Sequence, residues 1–258
     1  MRRMLDELVA GARERASVLM PHRERLQRHV ASMGPSRSLG AALGAPGLGV
    51  IAEIKRRSPS VGGIAPDLDP RRLGRSYEEG GAVAVSVLTD PVGFGAFPAD
   101  LPSTTRTVSV PVLRKDFIVM PEQVWETRAM GADAILLIAA IVNDETLEGL
   151  VAEAERAGIA ALVEAHTADE VHRAVAAGAA IVGVNNRDLT TFAVSLVTAE
   201  RLRDLIPNGV ISVAESGISS PQDARRMRSA GYDAVLVGEA ASRAEDPARF
   251  IASLMEPA

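Results

Sequence analysis

The chain has no cysteine, which removes disulfides, zinc–thiolate sites, iron–sulfur clusters and thiol nucleophiles from consideration. It has no long apolar run either. The longest, Ala134 to Val142, is far short of the ~20 residues that span a bilayer, and the N-terminus is interrupted by Asp6, Glu7 and Glu14. A soluble cytoplasmic protein with no membrane partner is expected. Positive charge is not in excess: 28 Lys and Arg stand against 33 Asp and Glu, a net charge of -5, so nucleic acid is not an expected partner and any anion must be held by a local site. No G-x-G-x-x-G or G-x-x-x-x-G-K-[ST] follows a strand-like run, which argues against dinucleotide and nucleotide binding. His22, His29, His166 and His172 lack metal-ligand spacing with partners on one element, so no metal is expected. Of the four, His166 follows a strand closely enough for a supporting role beside a site.

What the chain does have is length, 258 residues that are 47% hydrophobic, and a repeat. That length suits one barrel-sized domain, residues 1–258, better than two small ones. The repeat is an amphipathic stretch, a glycine, a short spacer and a brief apolar run. It occurs as Gly81 before Val83 to Leu88, Gly131 before Ala134 to Ile138, Gly158 before Ala160 to Val163, Gly178 before Ala180 to Val184, and Gly231 before Ala234 to Val237. Each glycine suits a helix C-terminus that needs positive φ, and each run suits a buried strand. Gly49 to Lys55, Pro111 to Lys115 and Val210 to Glu215 add three strands without that glycine, making eight. Helix starts are marked by Asn143, by Thr167 with Glu170 as a capping box, by Ser220-Pro221 and by Asp246-Pro247.

Strict alternation of doubly apolar strands with helices predicts the α/β class and a (β/α)8, or TIM, barrel. Residues 1–46 precede the first strand and read as helices Met4 to Val18 and Pro21 to Met33 followed by a Gly/Pro/Ala-rich connection. Together they form an N-terminal helical extension packed on the barrel. A monomer is the expected state.

Strands buried on both faces should be apolar, yet these end in charge. Glu53 and Lys55 share one face by the period of two, and the same offset places Lys115, Glu164, Asn185 with Arg187, and Glu215 at strand ends. One such residue is an ordinary solvated boundary. Several together, at the end of a barrel where active sites form, point to catalysis. Two glycine turns, Ser216-Gly217 before the helix at Ser220-Pro221 and Gly238-Glu239 after the last strand, suit close backbone approach to a phosphate.

Four segments carry a resemblance: Ile51-Ala52-Glu53-Ile54-Lys55-Arg56-Arg57-Ser58-Pro59-Ser60, Leu113-Arg114-Lys115-Asp116-Phe117-Ile118, Val184-Asn185-Asn186-Arg187-Asp188-Leu189 and Ala214-Glu215-Ser216-Gly217-Ile218. In kind and order they resemble the signature segments of the indole-3-glycerol phosphate synthase family. The resemblance implies a carbon–carbon lyase of tryptophan biosynthesis that needs no cofactor. Its substrate would be the phosphorylated small molecule 1-(o-carboxyphenylamino)-1-deoxyribulose 5-phosphate. It further implies Lys115 as general acid, Glu164 as its acid/base partner, Glu53 and Glu215 in support of proton transfer, and Asn185 orienting the substrate. Lys55, Ser58 and Arg187 would meet anionic groups. Ser216, Gly217, Gly238 and Glu239 would hold the phosphate, and Pro59, Phe117, Leu136 and Leu189 would line an aromatic pocket. Departures from the family's usual pattern fall at Glu239, where many relatives carry serine, at Phe94 to Phe97, and at Val61-Gly62-Gly63. The competing readings are another phosphate-binding barrel enzyme, a sugar-phosphate isomerase or aldolase, and a catalytically silent barrel that binds a partner.

Overall fold

The computed structural model of the protein describes residues 2–58, 62–189 and 191–256. Eight strands, β1 (Gly49–Ile54), β2 (Ala84–Leu88), β3 (Val112–Lys115), β4 (Ala134–Ile138), β5 (Ala160–Ala165), β6 (Ile181–Asn185), β7 (Ile211–Glu215) and β8 (Ala234–Val237), pair in parallel with their sequence neighbours. β1 also pairs with β8, with Ile51 opposite Leu236, and so closes the barrel.

Alternation along each strand divides the apolar residues into two cores. Ile51, Leu113, Leu136, Leu162, Ile181, Val213 and Leu236 face inward and fill the barrel. Val50, Val85, Val112, Ile135, Val163, Val182 and Val235 belong to the layer between barrel and helices. Both faces are dry, which is why the strands read as short unbroken apolar runs.

The helices are α1 (Arg2–Ser17), α2 (Arg23–Ala31), α3 (Leu39–Leu43), α4 (Pro70–Glu79), α5 (Pro91–Phe94), α6 (Asp100–Thr105), α7 (Pro121–Ala129), α8 (Asp144–Arg156), α9 (Ala168–Ala176), α10 (Val197–Leu202), α11 (Pro221–Ser229), α12 (Glu239–Arg243) and α13 (Pro247–Leu254). Among the described residues none is long and apolar enough to cross a membrane. The five repeat glycines have φ between +71° and +90°, so each ends its helix in the left-handed region, as expected. The predicted caps form: Asn143 accepts from the backbone of Thr146 at 2.9 Å, Ser220 from Asp223 at 3.2 Å and Asp246 from Arg249 at 3.0 Å.

Three local expectations are corrected. The second helix is shorter than Pro21 to Met33, because Met20–His22 form a 3-10 turn and the α-helix occupies Arg23–Ala31. The Gly/Pro/Ala-rich connection contains α3, started by Ser38, whose hydroxyl accepts from the Ala41 backbone at 3.1 Å. At α9 only half of the capping box is made. Thr167 accepts from the Glu170 backbone at 3.2 Å, but the Glu170 carboxylate turns back to the backbone and ring of His166.

The N-terminal helices reach both ends of the barrel. At the end where strands begin, Leu39 and Leu43 of α3 join the inner core with Ile51, Leu113 and Ile181. Arg37 secures this plug by donating from its backbone and Nε to the two oxygens of Asp133, each at 2.8 Å, and Asp133 also accepts from the Val112 backbone at 2.9 Å. At the other end, α1 lays Leu5 and Leu8 along the barrel mouth, and Arg15 donates to Asp90 at 2.6 Å. Leu39 is fully buried, so Leu39→Ala leaves a void in the inner core. It is expected to lower stability by about 2–5 kcal/mol in urea unfolding with an unchanged m value.

Candidate active site

The period of two that fills the barrel with apolar side chains also carries the charged residues inward at the mouth. Lys115 is central among them. Its ammonium lies 3.4 Å from Glu164 Oε2, 3.8 Å from Glu215 Oε2 and 3.9 Å from Glu53 Oε2, and Lys55 stands 3.4 Å from Glu53 Oε1. Glu53, Glu164, Glu215 and Asn185 are all buried. Three carboxylates in one dry cluster would repel strongly, and two ammonium groups among them offset that repulsion.

The cluster sets the proton affinities of its members. Burial opposes the charge on Lys115, but Glu164, Glu53 and Glu215 outweigh it and hold the ammonium well above the ordinary lysine range. Burial likewise opposes the Glu164 carboxylate, and Lys115 and His166, with a hydrogen bond from Asn185, pull it well below the usual carboxylate range. Glu215 goes the other way. Burial and the neighbouring Glu164 raise it to about 8, Lys115 only partly counteracting them, and neither carboxyl oxygen has a hydrogen-bond partner among the described residues. At neutral pH the site therefore holds an ammonium, an ionised carboxylate and a protonated carboxyl within one side chain's reach.

Two glycines make room for these carboxylates. A Cβ on Gly183 of β6 would sit 2.2 Å from Glu215 Oε1, and one on Gly238 would sit 2.4 Å from Glu53 Oε1. Gly238 was expected at a phosphate turn; it is also the space into which Glu53 extends. The Ser216-Gly217 turn is built from consecutive left-handed residues, with φ of 63° and 82°. A serine in that region is strained, which is characteristic of a turn held in one shape by its surroundings.

The mouth has two lobes. The apolar lobe is walled by Phe117, Leu136 and Leu189, with Ser58 buried at its edge. Phe94 stacks on Phe117 at 6.3 Å between centroids, and Lys55 lies 5.8 Å above the Phe94 ring. Within the atypical Phe94 to Phe97 loop, then, Phe94 completes the wall while Phe97 faces outward over Arg56. The polar lobe is walled by Ser216, Gly217, Gly238 and Glu239, and Lys55, Lys115 and Arg187 border both lobes. Arg187 donates to the Phe192 carbonyl at 3.2 Å, and its backbone donates to Asn185 Oδ1 at 3.0 Å. Pro59, with Ser60 and Val61, lies outside the described residues; every other expected site residue is brought to this mouth.

Sequence reasoning missed several contributors. Leu5 and Leu8 of α1 form part of the apolar wall, and no local signal says to which end of a barrel a leading helix docks. Arg114 points outward beneath Lys115 and is held by Asp116 at 3.1 Å and Glu126 at 2.7 Å, while Asp116 accepts from the Phe117 backbone at 2.8 Å. This buried lattice fixes the strand end that carries the central lysine. Arg243 borders the polar lobe and pairs with Glu239 at 3.3 Å, offsetting the carboxylate that stands at that turn. The i, i+4 spacing was the available signal.

Comparison with known proteins places this architecture among relatives. The family model described as indole-3-glycerol phosphate synthase matches residues 5–254. A Parafrankia protein named indole-3-glycerol phosphate synthase is 46% identical over 257 residues, covering 97% of this chain and 94% of that protein. Indole-3-glycerol phosphate synthase 1 of Streptomyces coelicolor is 44% identical, with 98% and 94% covered, and the Mycobacterium ulcerans protein of the same function name is 42% identical, with 98% and 93% covered. Among solved structures, a thiamine phosphate pyrophosphorylase from Pyrococcus furiosus superposes with a TM-score of 0.61 at 19% identity, covering 84% of this chain and 96% of that one. That likeness is one of fold.

The raised Glu215 carboxyl has a measurable signature. Its proton is bound more tightly in the folded chain, at about 8, than in the unfolded chain, at 4.5, so this group's contribution to stability falls as pH rises between those values. Glu215→Gln removes the penalty. The melting temperature of the variant minus that of the parent is expected to increase from about pH 4.5 to 8 and then level off. A difference that stays constant over this window would mean that Glu215 ionises normally.

Proposed function

The chain belongs to the indole-3-glycerol phosphate synthase family, and from that premise we propose how its own residues divide the work of the reaction. The reaction is a decarboxylating, dehydrating ring closure of 1-(o-carboxyphenylamino)-1-deoxyribulose 5-phosphate to indole-3-glycerol phosphate in tryptophan biosynthesis, the work of a carboxy-lyase. The observation that carries the division is Lys115, an ammonium 3.4 Å from Glu164 at the junction of an apolar and a polar lobe.

Lys115 gives a proton to the ketone oxygen as the aryl carbon bearing the carboxylate attacks the ketone carbon. A hydroxyl forms and the ring becomes an iminium. The bond to the carboxylate then breaks, carbon dioxide leaves, and its electron pair neutralises the iminium. Dehydration follows: the hydroxyl departs with a proton from the acid, and Glu164 takes a proton from the carbon beside the ring nitrogen, whose loss makes the new five-membered ring aromatic. Because the iminium formed in the first step is the electron sink for the second, the substrate itself supports decarboxylation. The neutral Glu215 supports proton transfer by returning a proton to Lys115, Glu53 supports it by holding the Lys115 and Lys55 ammonium groups in place, and Asn185 orients the substrate.

Binding follows the two lobes. Phe117, Leu136 and Leu189, together with Phe94, take the aromatic ring. Lys55, Ser58 and Arg187 meet the anionic groups. Ser216, Gly217, Gly238 and the backbone of Glu239 hold the phosphate, a role supported by the open turn geometry and by the Arg243 countercharge to the Glu239 carboxylate. Residues 1–46 are assigned to the same domain as the barrel, since α1 and α3 contribute to its inner core. The reaction is assigned to the cytoplasm, where a doubly anionic phosphorylated substrate is retained.

The purified protein is expected to convert the carboxyphenylamino substrate to a product with indole fluorescence, without added metal or cofactor. Lys115→Met is expected to lower kcat by about 10²–10⁴-fold while far-UV circular dichroism stays that of the parent. A folded parent without this activity overturns the reading. Borohydride trapping of substrate on Lys115 would instead show a Schiff-base aldolase.

A further inference from the structure

His166 and Glu170 have no part in the scheme above, yet they are joined to it. His166 stands just beyond β5, and its Nε2 lies 3.2 Å from Glu164 Oε1 while the other oxygen of that carboxylate faces Lys115. On its far side, His166 Nδ1 lies 3.1 Å from Glu170 Oε2, which also accepts from the His166 backbone at 2.7 Å. The imidazole side chain is 9% exposed. Each ring nitrogen thus faces a carboxylate, and an ionised carboxylate only accepts. Only the Nδ1 contact has hydrogen-bond geometry; Nε2 has no hydrogen-bond partner among the described residues and faces Glu164 Oε1 at ion-pair distance, a contact that an imidazolium makes attractive and a neutral imidazole does not.

The surroundings agree. Beyond Glu170 opens a cleft of about 610 Å³, to which α1 contributes Asp6, α9 contributes Asp169, Glu170 and Arg173, and the segment after β6 contributes Asp188. Glu164 and Glu170 are the carboxylates in contact with the ring, Glu215 of β7 interacts with it from inside the barrel, and the charged groups lining the cleft are mostly acidic. Arg173, the one cation among them, is engaged by Asp144 and by the carbonyls of Ala139 and Val142. Burial disfavours the imidazolium, and the Glu164 and Glu170 carboxylates outweigh it, raising the ring to about 10.

We infer that His166, clamped by Glu170, is a positioning residue that keeps Glu164 ionised and directs one oxygen of its carboxylate toward Lys115. The inference deepens the proposed function and rests on its assignment of Glu164 as acid/base partner. In this arrangement the two sides of Glu164 have different tasks. Oε1 faces the imidazolium at ion-pair distance, and Oε2 is left to exchange protons at the mouth. Removing the imidazolium while keeping Glu164 should therefore make the carboxylate easier to protonate without changing the walls that bind substrate.

Two measurements test this. In His166→Gln, kcat is expected to fall about tenfold, less than the 10²–10⁴-fold of a group that itself transfers the proton, with KM within about twofold of the parent. The acid limb of kcat against pH is expected to move up by about one unit, and Glu170→Gln to move it in the same direction by less. Independently of turnover, the His166 ring followed by NMR in the parent should remain protonated well above the ordinary 6.5, and should titrate lower in Glu164→Gln and in Glu170→Gln. A parent ring that titrates near 6.5, or a folded His166→Gln with the parent's kcat and acid limb, overturns the inference. The NMR titration needs no activity and no folded His166 variant. It therefore decides the clamp even where ring closure fails and only the proposed function is lost.

Discussion

A single ammonium surrounded by three buried carboxylates governs the design of this barrel mouth. Carboxylates in a dry cavity are costly when uncompensated, and the attraction of Lys115 for Glu53, Glu164 and Glu215 is what allows them to gather there. The compensation is uneven, and the unevenness is useful. Glu164 lies against both Lys115 and His166 and stays ionised, whereas for Glu215 burial and the neighbouring Glu164 outweigh the same two cations and it keeps its proton. Two chemically identical side chains, Glu164 and Glu215, thereby acquire different states from placement alone.

The rest of the structure serves that placement. Strand alternation sends every second residue into the barrel, so the same pattern that fills its lower part with Ile51, Leu113 and Val213 delivers Glu53, Lys115 and Glu215 one step higher. Gly183 and Gly238 yield the volume those longer chains need. Outside the strands, the Arg114, Asp116 and Glu126 lattice holds the end of β3, and Arg56 grips Asp100 through two hydrogen bonds of 2.8 and 2.9 Å to fix the chain leaving β1. Each is a buried, multiply bonded arginine placed next to a residue of the mouth.

Most of the barrel was legible in the sequence because its signals are local: a glycine at a helix end, a cap, a brief apolar run. The charged cluster of the candidate site was legible for a related reason, since charge at the end of a doubly buried strand contradicts the pattern around it. What stayed hidden depends on contacts across elements. Gly183 resembles any strand glycine until the Glu215 carboxyl of β7 is seen lying against it. Glu170 has the spacing of a capping box and also an i, i+4 spacing to His166, and the sequence does not say which of the two its carboxylate serves. The 1–46 segment was legible as helical, but its division between a plug at one end of the barrel and a wall at the other follows from docking. Indole chemistry itself was read from family motifs, since the physics of the strand ends implies proton transfer without naming a substrate.

The α3 plug has a consequence for how this molecule can change. Leu39, Leu43 and the Arg37 to Asp133 grip close the end of the barrel opposite the mouth, and none of them borders the reactive cluster. Robustness and reactivity are therefore located at opposite poles of one closed sheet. Variation at the lower pole can raise or lower thermal tolerance while selection on substrate use proceeds separately above it, so a laboratory lineage could bank stability first and alter specificity afterwards.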